Sequence, residues 1–411
     1  MRKTWMAAVS GAVLFTAAAC GGSAPGAAGN TGGAGEDVTI GSLHPMSGPF
    51  AADGTQMDNG AKLAIEAVNE AGGISSLGGA KLALSTGDTQ GKPEIGQSEA
   101  QRLIQGGAVA LVGTYQSSVS MNVAAVAERG QVPFVMDITA DDAVLDQGYK
   151  YSFRLQPPNS SMGTRGARYL KEIAEEAGKP LPTVAYLHEQ TAFGTSVHKS
   201  FAEEAAKLGI PIVAEISYDA ATVSDLTTQI TTVKGSGANV LVVTGYYRDS
   251  VLAARAVETV KPALDAVFGV ADGAYDLPQF PAEAGAAGEG YYDVNYRLDM
   301  SDKETQDLAK LYKDRFGDDI RTGAVLAYDA VRVIAEALEK SGDRDPKKLR
   351  DAIAGISLDP LVVSDGPIEF DDTGENSGAL PVVMQVQDGK VAVVYPADRA
   401  DGGKPRYPAG S

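Results

Sequence analysis

The stretch ALVGTYQSSVS, Ala110 to Ser120, sets three hydroxyls, Ser117, Ser118 and Ser120, just after a short apolar run that stops at Gly113. MNVAAVAERG then continues with helical spacing. Hydroxyls at a strand-to-helix junction suit two chemistries. One is nucleophilic attack, which needs a base. The other is anion binding, in which a hydroxyl and the free N–H groups of a first helical turn point at one spot. The chain has three histidines, His44, His188 and His198, and its sequence gives no means of placing one beside Ser117. No H-E-x-x-H, G-x-S-x-G or P-loop pattern occurs. His188 and His198 lack the cysteine or acidic spacing of a zinc site, and the acid pairs Asp141-Asp142 and Asp371-Asp372 read as solvated loop residues. The sequence therefore predicts a binding protein rather than an enzyme, with no cofactor, metal or catalytic residue.

Other polar and aromatic residues fall at the carboxyl ends of apolar runs, where open α/β sheets bind ligands. Tyr115, Gln116 and Ser117, then Asp137 and Thr139, belong to a first series; Phe193, Tyr246 and Asp272 belong to a second. Taken singly each has a plainer role. Ser117 is a good N-cap, the aromatics suit a core, and Asp272 in VADGAYD suits a turn. Together, at strand ends in both series, they predict a cleft.

The elements that must position them alternate. VTIGSL reads as a buried strand, followed by a helix from Gly54 to Gly73, the strand KLALSTGD, a helix from Pro93, the strand AVALVGTY, a helix from Ser117 and the strand VPFVMD. After FRLQPPNSS the cycle restarts with TVAYLHE, IPIVAEISY, NVLVVTGYY and AVFGVAD. Continuous Val/Ile/Leu runs between helices imply parallel sheets covered on both faces. The predicted fold is α/β, with two doubly wound parallel-sheet lobes. Thr322 to Gly342 reads as a strong amphipathic helix, and Asp388-Gly389 as a hairpin turn.

With 44% apolar and 21% charged residues the composition is globular, and a formal charge of −18 argues against a nucleic-acid partner. Arg2 and Lys3 precede an apolar stretch, Trp5 to Ala19, which is too short to span a bilayer and has the order of a secretory leader. Cys20, the one cysteine, follows Ala18 and Ala19. This junction resembles the bacterial lipoprotein signal, in which the cysteine is lipidated and begins the mature chain. The Gly/Ala-rich segment after it reads as a tether.

IGSLHPMSGPFAADGTQMDNGAKLAIEAVNEAGGI, VPFV, GYY and the hydroxyl-rich turn after LVG resemble the branched-chain amino acid-type binding proteins of ABC importers, of the type I periplasmic binding fold. The resemblance runs from about Val38 to Tyr395. It implies two lobes joined by a three-segment hinge, with crossings near Gln156-Pro158, Val294-Arg297 and Asp365-Ser377. The implied division is 1–19 leader, 20–37 lipidated cysteine and tether, 38–157 with 297–365 lobe one, 158–296 with 366–396 lobe two, and 397–411 a flexible tail. By the same resemblance Ser117 and Thr139 would grip a ligand α-carboxylate, Asp272 its ammonium, and Phe193 and Tyr246 would flank it. The implied partners are an amino acid or related small molecule, an ABC permease, and a membrane reached through the lipid, outside the cytoplasm. A ligand sensor of the same fold, for an amide, urea or aromatic acid, is the alternative. The sequence departs from an aliphatic pocket by placing Asp53, Gln116 and Arg248 near the cleft mouth and Asp137 where the family often has a small residue.

Cys20→Ala should free the protein from membranes or block its processing, because stable attachment rests on acyl chains. Fractionation and mass of the mature form check this; an alanine variant that is processed and retained normally contradicts it.

Overall fold

The computed structural model describes residues 37–401 and 403–409. The leader, Cys20 and nearly all of the tether lie outside the described residues. Lobe one is built from β1 (Val38–His44), α1 (Ala51–Glu70), β2 (Leu82–Asp88), α2 (Pro93–Gln105), β3 (Ala110–Gly113), α3 (Ser117–Gly130), β4 (Phe134–Met136) and β5 (Ser152–Arg154). Its sheet is fully parallel, in the order β2-β1-β3-β4-β5. Lobe two follows with α4 (Asn159–Glu176), β6 (Val184–Glu189), α5 (Ala192–Leu208), β7 (Ile212–Tyr218), α6 (Thr227–Gly235), β8 (Val240–Thr244), α7 (Tyr247–Val260), β9 (Ala266–Val270), α8 (Phe280–Ala284) and β10 (Tyr292–Asn295). The chain then returns to lobe one for α9 (Lys303–Phe316), α10 (Thr322–Ser341) and α11 (Pro346–Ala354). It ends on the hairpin β11 (Val382–Gln387) and β12 (Lys390–Tyr395), added antiparallel to lobe two. Sheet two runs β12-β11-β10-β9-β8-β6-β7.

Strand alternation feeds both faces of each sheet. In β3 and β4, Leu111 and Phe134 join the core under α2 and α3, while Val112 and Val135 join the core under α1 and α10. In lobe two, Tyr186 and Val242 pack beneath α4 and α5, and Leu187 and Val243 beneath α6 and α7. The turn at Asp388-Gly389 has positive φ at both residues, 55° and 74°, as a two-residue hairpin of this type requires.

Two expectations are corrected. The boundary that assigned 366–396 to lobe two moves to the far end of the predicted Asp365-Ser377 crossing, because residues 366–376 stay on lobe one. Ile368 and Phe370 pack in its core, Asn376 Nδ2 donates to Leu155 O at 2.7 Å, and Glu375 pairs with Arg154. The C-terminal segment is docked rather than loose. Tyr407 is buried in lobe two, and Arg406 O accepts from Tyr292 OH at 2.6 Å and from Gln385 Nε2 at 3.0 Å. Low-complexity composition concealed a single aromatic anchor there.

Lobe one turns on the crossing of α1 and α10. A Cβ placed on Gly60 would lie 2.0 Å from Ala324 O. Gly60→Ala inside a helix would ordinarily gain about 1 kcal/mol. Here it should instead cost about 1–3 kcal/mol, because backbone must move. Thermal unfolding of the variant checks the sign.

Candidate functional site

Each sheet reverses its strand order next to its innermost early strand, β1 in lobe one and β6 in lobe two. Crevices open at the carboxyl ends on either side of such a reversal. The two crevices face one another across about 750 Å³ of empty space. From lobe one come Asp53 and Met57 of α1, Tyr115 and Ser117 after β3, Ile138 and Ala140 after β4, and the start of α10; from lobe two come Phe193, Tyr246 and the loop after β9.

Ser117 reaches the cleft. It is the first residue of α3, is buried at the cleft wall, and no described residue hydrogen-bonds its hydroxyl. The helix's first backbone bonds are Val119 N to Gln116 O at 3.0 Å and Ser120 N to the same oxygen at 3.1 Å. The N–H groups of Ser117 and Ser118 thus lack a backbone acceptor among the described residues and carry the positive end of the helix.

Thr139 does not join it. Neighbours in extended chain point to opposite sides, and Ile138 and Ala140 take the cleft. Thr139 Oγ1 donates to Thr114 O at 2.8 Å and touches Ser120 Oγ. Asp137 also lies behind the wall. Its carboxylate meets His44 Nε2 at 2.7 Å, and His44 Nδ1 meets Ser42 Oγ at 3.0 Å. Ser42 Oγ in turn donates to Asp58 at 2.9 Å. The arrangement has the order of a nucleophile, base and acid, yet Ser42 is sealed from solvent and its proton faces Asp58. Gln116 is buried off the cleft, near Gly91, with neither amide atom hydrogen-bonded among the described residues. Arg248 is exposed and donates to Val223 O at 2.7 Å.

The aromatic residues converge as expected. Tyr246 sits 5.2 Å from Tyr115 and 5.3 Å from Phe193, centroid to centroid. Phe50, from the loop before α1, completes the cluster 5.0 Å from Tyr246, so the rings of both lobes meet. Buried carboxylates fix the lobe-two members. Asp249 accepts from Tyr246 N at 3.0 Å and Tyr218 OH at 2.6 Å. Glu189 accepts from Gly194 N at 2.5 Å and from Thr191 N and Oγ1, both at 2.7 Å, which sets the turn carrying Phe193.

Asp272 lines the cleft and is fully buried. Ser250 Oγ donates to it at 2.7 Å, and the N–H groups of Ala274 and Tyr275 at 3.0 and 3.2 Å. Three more carboxyls crowd the same lobe: Asp249, Asp276 and Asp293, all buried. Burial pushes Asp249 and Asp276 up to about 7, and holds Asp272 and Asp293 well above the usual carboxylate range. Arg297, at the second crossing, whose Nη1 donates to Asp276 O at 2.5 Å, is a nearby cation.

The sequence missed the wall made by the third segment. Arg321 Nη1 donates to Asp53 Oδ1 at 2.6 Å, and its guanidinium lies 4.0 Å over the Tyr247 ring of the other lobe. Gln56 Oε1 accepts from Arg321 N at 3.3 Å, and Gln56 Nε2 donates to Asp318 and Asp319 O. Asp276 follows Asp272 in VADGAYD and could have been found there; Arg321 and Thr322 open a helix whose amphipathic pattern drew attention to its core face.

Two α/β lobes with a walled interlobe cleft define a class of solute-binding proteins. The sequence matches the Periplasmic binding protein family over residues 37–390, and the chain belongs to that family. It is 31% identical over 395 residues to Leu/Ile/Val-binding protein homolog 7 of Brucella suis biovar 1 (strain 1330), covering 93% of this chain and 95% of that one. The fold is similar to a leucine-binding protein, LivK, from Thermotoga maritima MSB8, with a TM-score of 0.74 at 22% identity, covering 88% and 99% of the two chains. It is also similar to an ABC-transporter solute-binding protein from R. palustris in complex with benzoate, with a TM-score of 0.75 at 19% identity, covering 90% and 98%. Among the described residues no helix is long and apolar enough to cross a membrane.

The buried carboxyls carry a pH signature. Their folded values lie above the ordinary carboxylate value of 3.8. The folded unliganded protein therefore holds protons that the unfolded chain has already lost, and stability falls as pH rises through the folded values. Melting temperature without ligand should decline between about pH 5 and about pH 8 at constant ionic strength. Asp249→Asn should flatten that decline, and scanning calorimetry of both proteins checks it.

Proposed function

We propose that this protein is the extracytoplasmic solute receptor of an ABC importer, that it captures an amino acid-like ligand between its lobes, and that it is held at the membrane through Cys20. The observation that carries the ligand reading is the opposition of charges in one cleft. Lobe one offers Ser117 and two free N–H groups at a helix start; lobe two offers buried Asp272. A zwitterion answers both. Its carboxylate gains charge-assisted hydrogen bonds of about 1.5–3 kcal/mol each. Its ammonium would supply Asp272 with a cation beside the neutral donors it already has. With Thr139 bonded elsewhere, the backbone N–H groups take the larger share of the carboxylate.

Closure follows from the same contacts. A ligand favours the closed hinge only by what it touches there and not in the open form. Contacts to both lobes meet that condition, and a permease can then distinguish loaded receptor by shape. A carboxylic acid without an amine leaves Asp272 unmatched, which favours transport of amino acids over sensing of aromatic acids.

Asp272→Asn should weaken an amino acid ligand by roughly 30-fold or more, since a buried charge pair that loses one partner costs about 2–5 kcal/mol. The des-amino analogue should be affected little. Ser117→Ala should cost less than Asp272→Asn, because the helix N–H groups remain. Calorimetry with both ligands on both variants, and a fall in radius of gyration on ligand addition by small-angle scattering, test the reading. Unchanged amino acid affinity in Asp272→Asn removes it.

A further inference from the structure

The charge opposition between Ser117 and Asp272 leaves one wall of the cleft without a task. That wall is the start of α10, a helix of 20 residues whose N-cap residue, Arg321, has an extended backbone and gives no side-chain cap. The first backbone bond of the helix is Ala324 N to Arg321 O at 2.9 Å, so the N–H groups of Thr322 and Gly323 lack backbone acceptors among the described residues. Thr322 lines the cleft at 2% exposure; its Oγ1 faces the Asp276 carboxyl, which it helps to stabilise, but makes no hydrogen bond of full geometry among the described residues. Nε of Arg321 is likewise buried and without a partner there, although Nη1 holds Asp53. Asp53 and Asp276 line the same cleft, one from each lobe, and both feel the Arg321 charge.

The wall thus offers both kinds of hydrogen-bonding group at close quarters. Arg321 Nε and the first N–H groups of α10 donate; the carboxyls of Asp53 and Asp276 accept; Thr322 Oγ1 does either. An aliphatic side chain placed here would keep these groups from water and give them nothing in return. A carboxylate would satisfy the donors and be repelled by two acids. An ammonium would satisfy the acids and be repelled by Arg321. An uncharged group that both donates and accepts has no such conflict, and a primary carboxamide does so through adjacent atoms.

We propose that the Arg321–Thr322 wall is a side-chain subsite and that the solute is an amino acid carrying a primary carboxamide, its carbonyl oxygen toward Arg321 and Thr322 and its NH2 toward the Asp53 and Asp276 carboxyls. This rests on the cleft being an amino acid site. The aromatic cluster of Phe50, Tyr115, Phe193 and Tyr246 then covers the methylene stem between the two polar ends.

The test is calorimetry on the purified mature protein with glutamine, asparagine, leucine, glutamate and butyramide as probes. Glutamine or asparagine should bind at least about 10-fold more tightly than leucine and glutamate, in line with sites built to hydrogen-bond a substrate group. Thr322→Val keeps shape and removes the hydroxyl. It should weaken the carboxamide amino acid about 10-fold and leave leucine unchanged or tighter, with thermal unfolding showing an intact fold. Leucine binding more tightly than both carboxamide amino acids overturns the subsite and leaves the amino acid reading intact. Butyramide binding that Thr322→Val weakens, with no amino acid bound, supports the subsite and overturns the amino acid reading. No binding of glutamine, asparagine or butyramide at about 10 mM, a level that would reveal even millimolar affinity, overturns the subsite.

Discussion

Four aspartates buried in one lobe, Asp249, Asp272, Asp276 and Asp293, with Arg297 as their near cation, are the constraint around which this molecule is arranged. Taking ionised carboxylates out of water costs several kcal/mol each unless charge or hydrogen bonds return it. Lobe two returns part of it locally. Ser250, the Ala274 and Tyr275 amides and Asn295 are all turned toward Asp272 and Asp293. Two of the four, Asp272 and Asp276, line the cleft, so what is not returned locally bears on whatever enters there.

Lobe one answers with dipoles rather than with surplus cations. Two helices begin at the cleft, α3 at Ser117 and α10 at Thr322, and Arg321 is matched by Asp53. Such fixed N–H groups need no reorganisation when an anion arrives. The small residues at the start of α10 serve a second purpose. Ala324 lets α1 pass close enough for Gly60 to touch its carbonyl, so the crossing that stabilises the lobe also aims the helix start at the cleft.

Much of this was legible in the sequence, and the limits have physical causes. Apolar runs between helices gave both lobes, because parallel strands covered on two faces leave that pattern. Ser117, Tyr115, Phe193, Tyr246, Asp272 and Asp53 meet in one cleft because each follows a strand end or opens a helix beside one. Thr139 fails by one residue of strand phase, which spacing alone does not fix. Asp137 and Gln116 sit at strand ends and yet turn inward, toward His44 in one case and Gly91 in the other. Arg321 and Thr322 escaped because their approach to the cleft depends on the chain's return to lobe one, a long-range event with no local signature. The docked tail escaped for the same reason: Tyr407 finds its pocket only once sheet two exists.

The aromatic cluster across the cleft has an optical meaning as well. The chain has one tryptophan, Trp5, in the segment read as leader, and 16 tyrosines. From residue 37 onward tyrosine is the dominant fluorophore, and two of these rings, Tyr115 and Tyr246, stand 5.2 Å apart on opposite lobes. Any movement of one lobe against the other would change the spacing of these two rings, and with it their mutual quenching, so tyrosine emission would follow the cleft without a label.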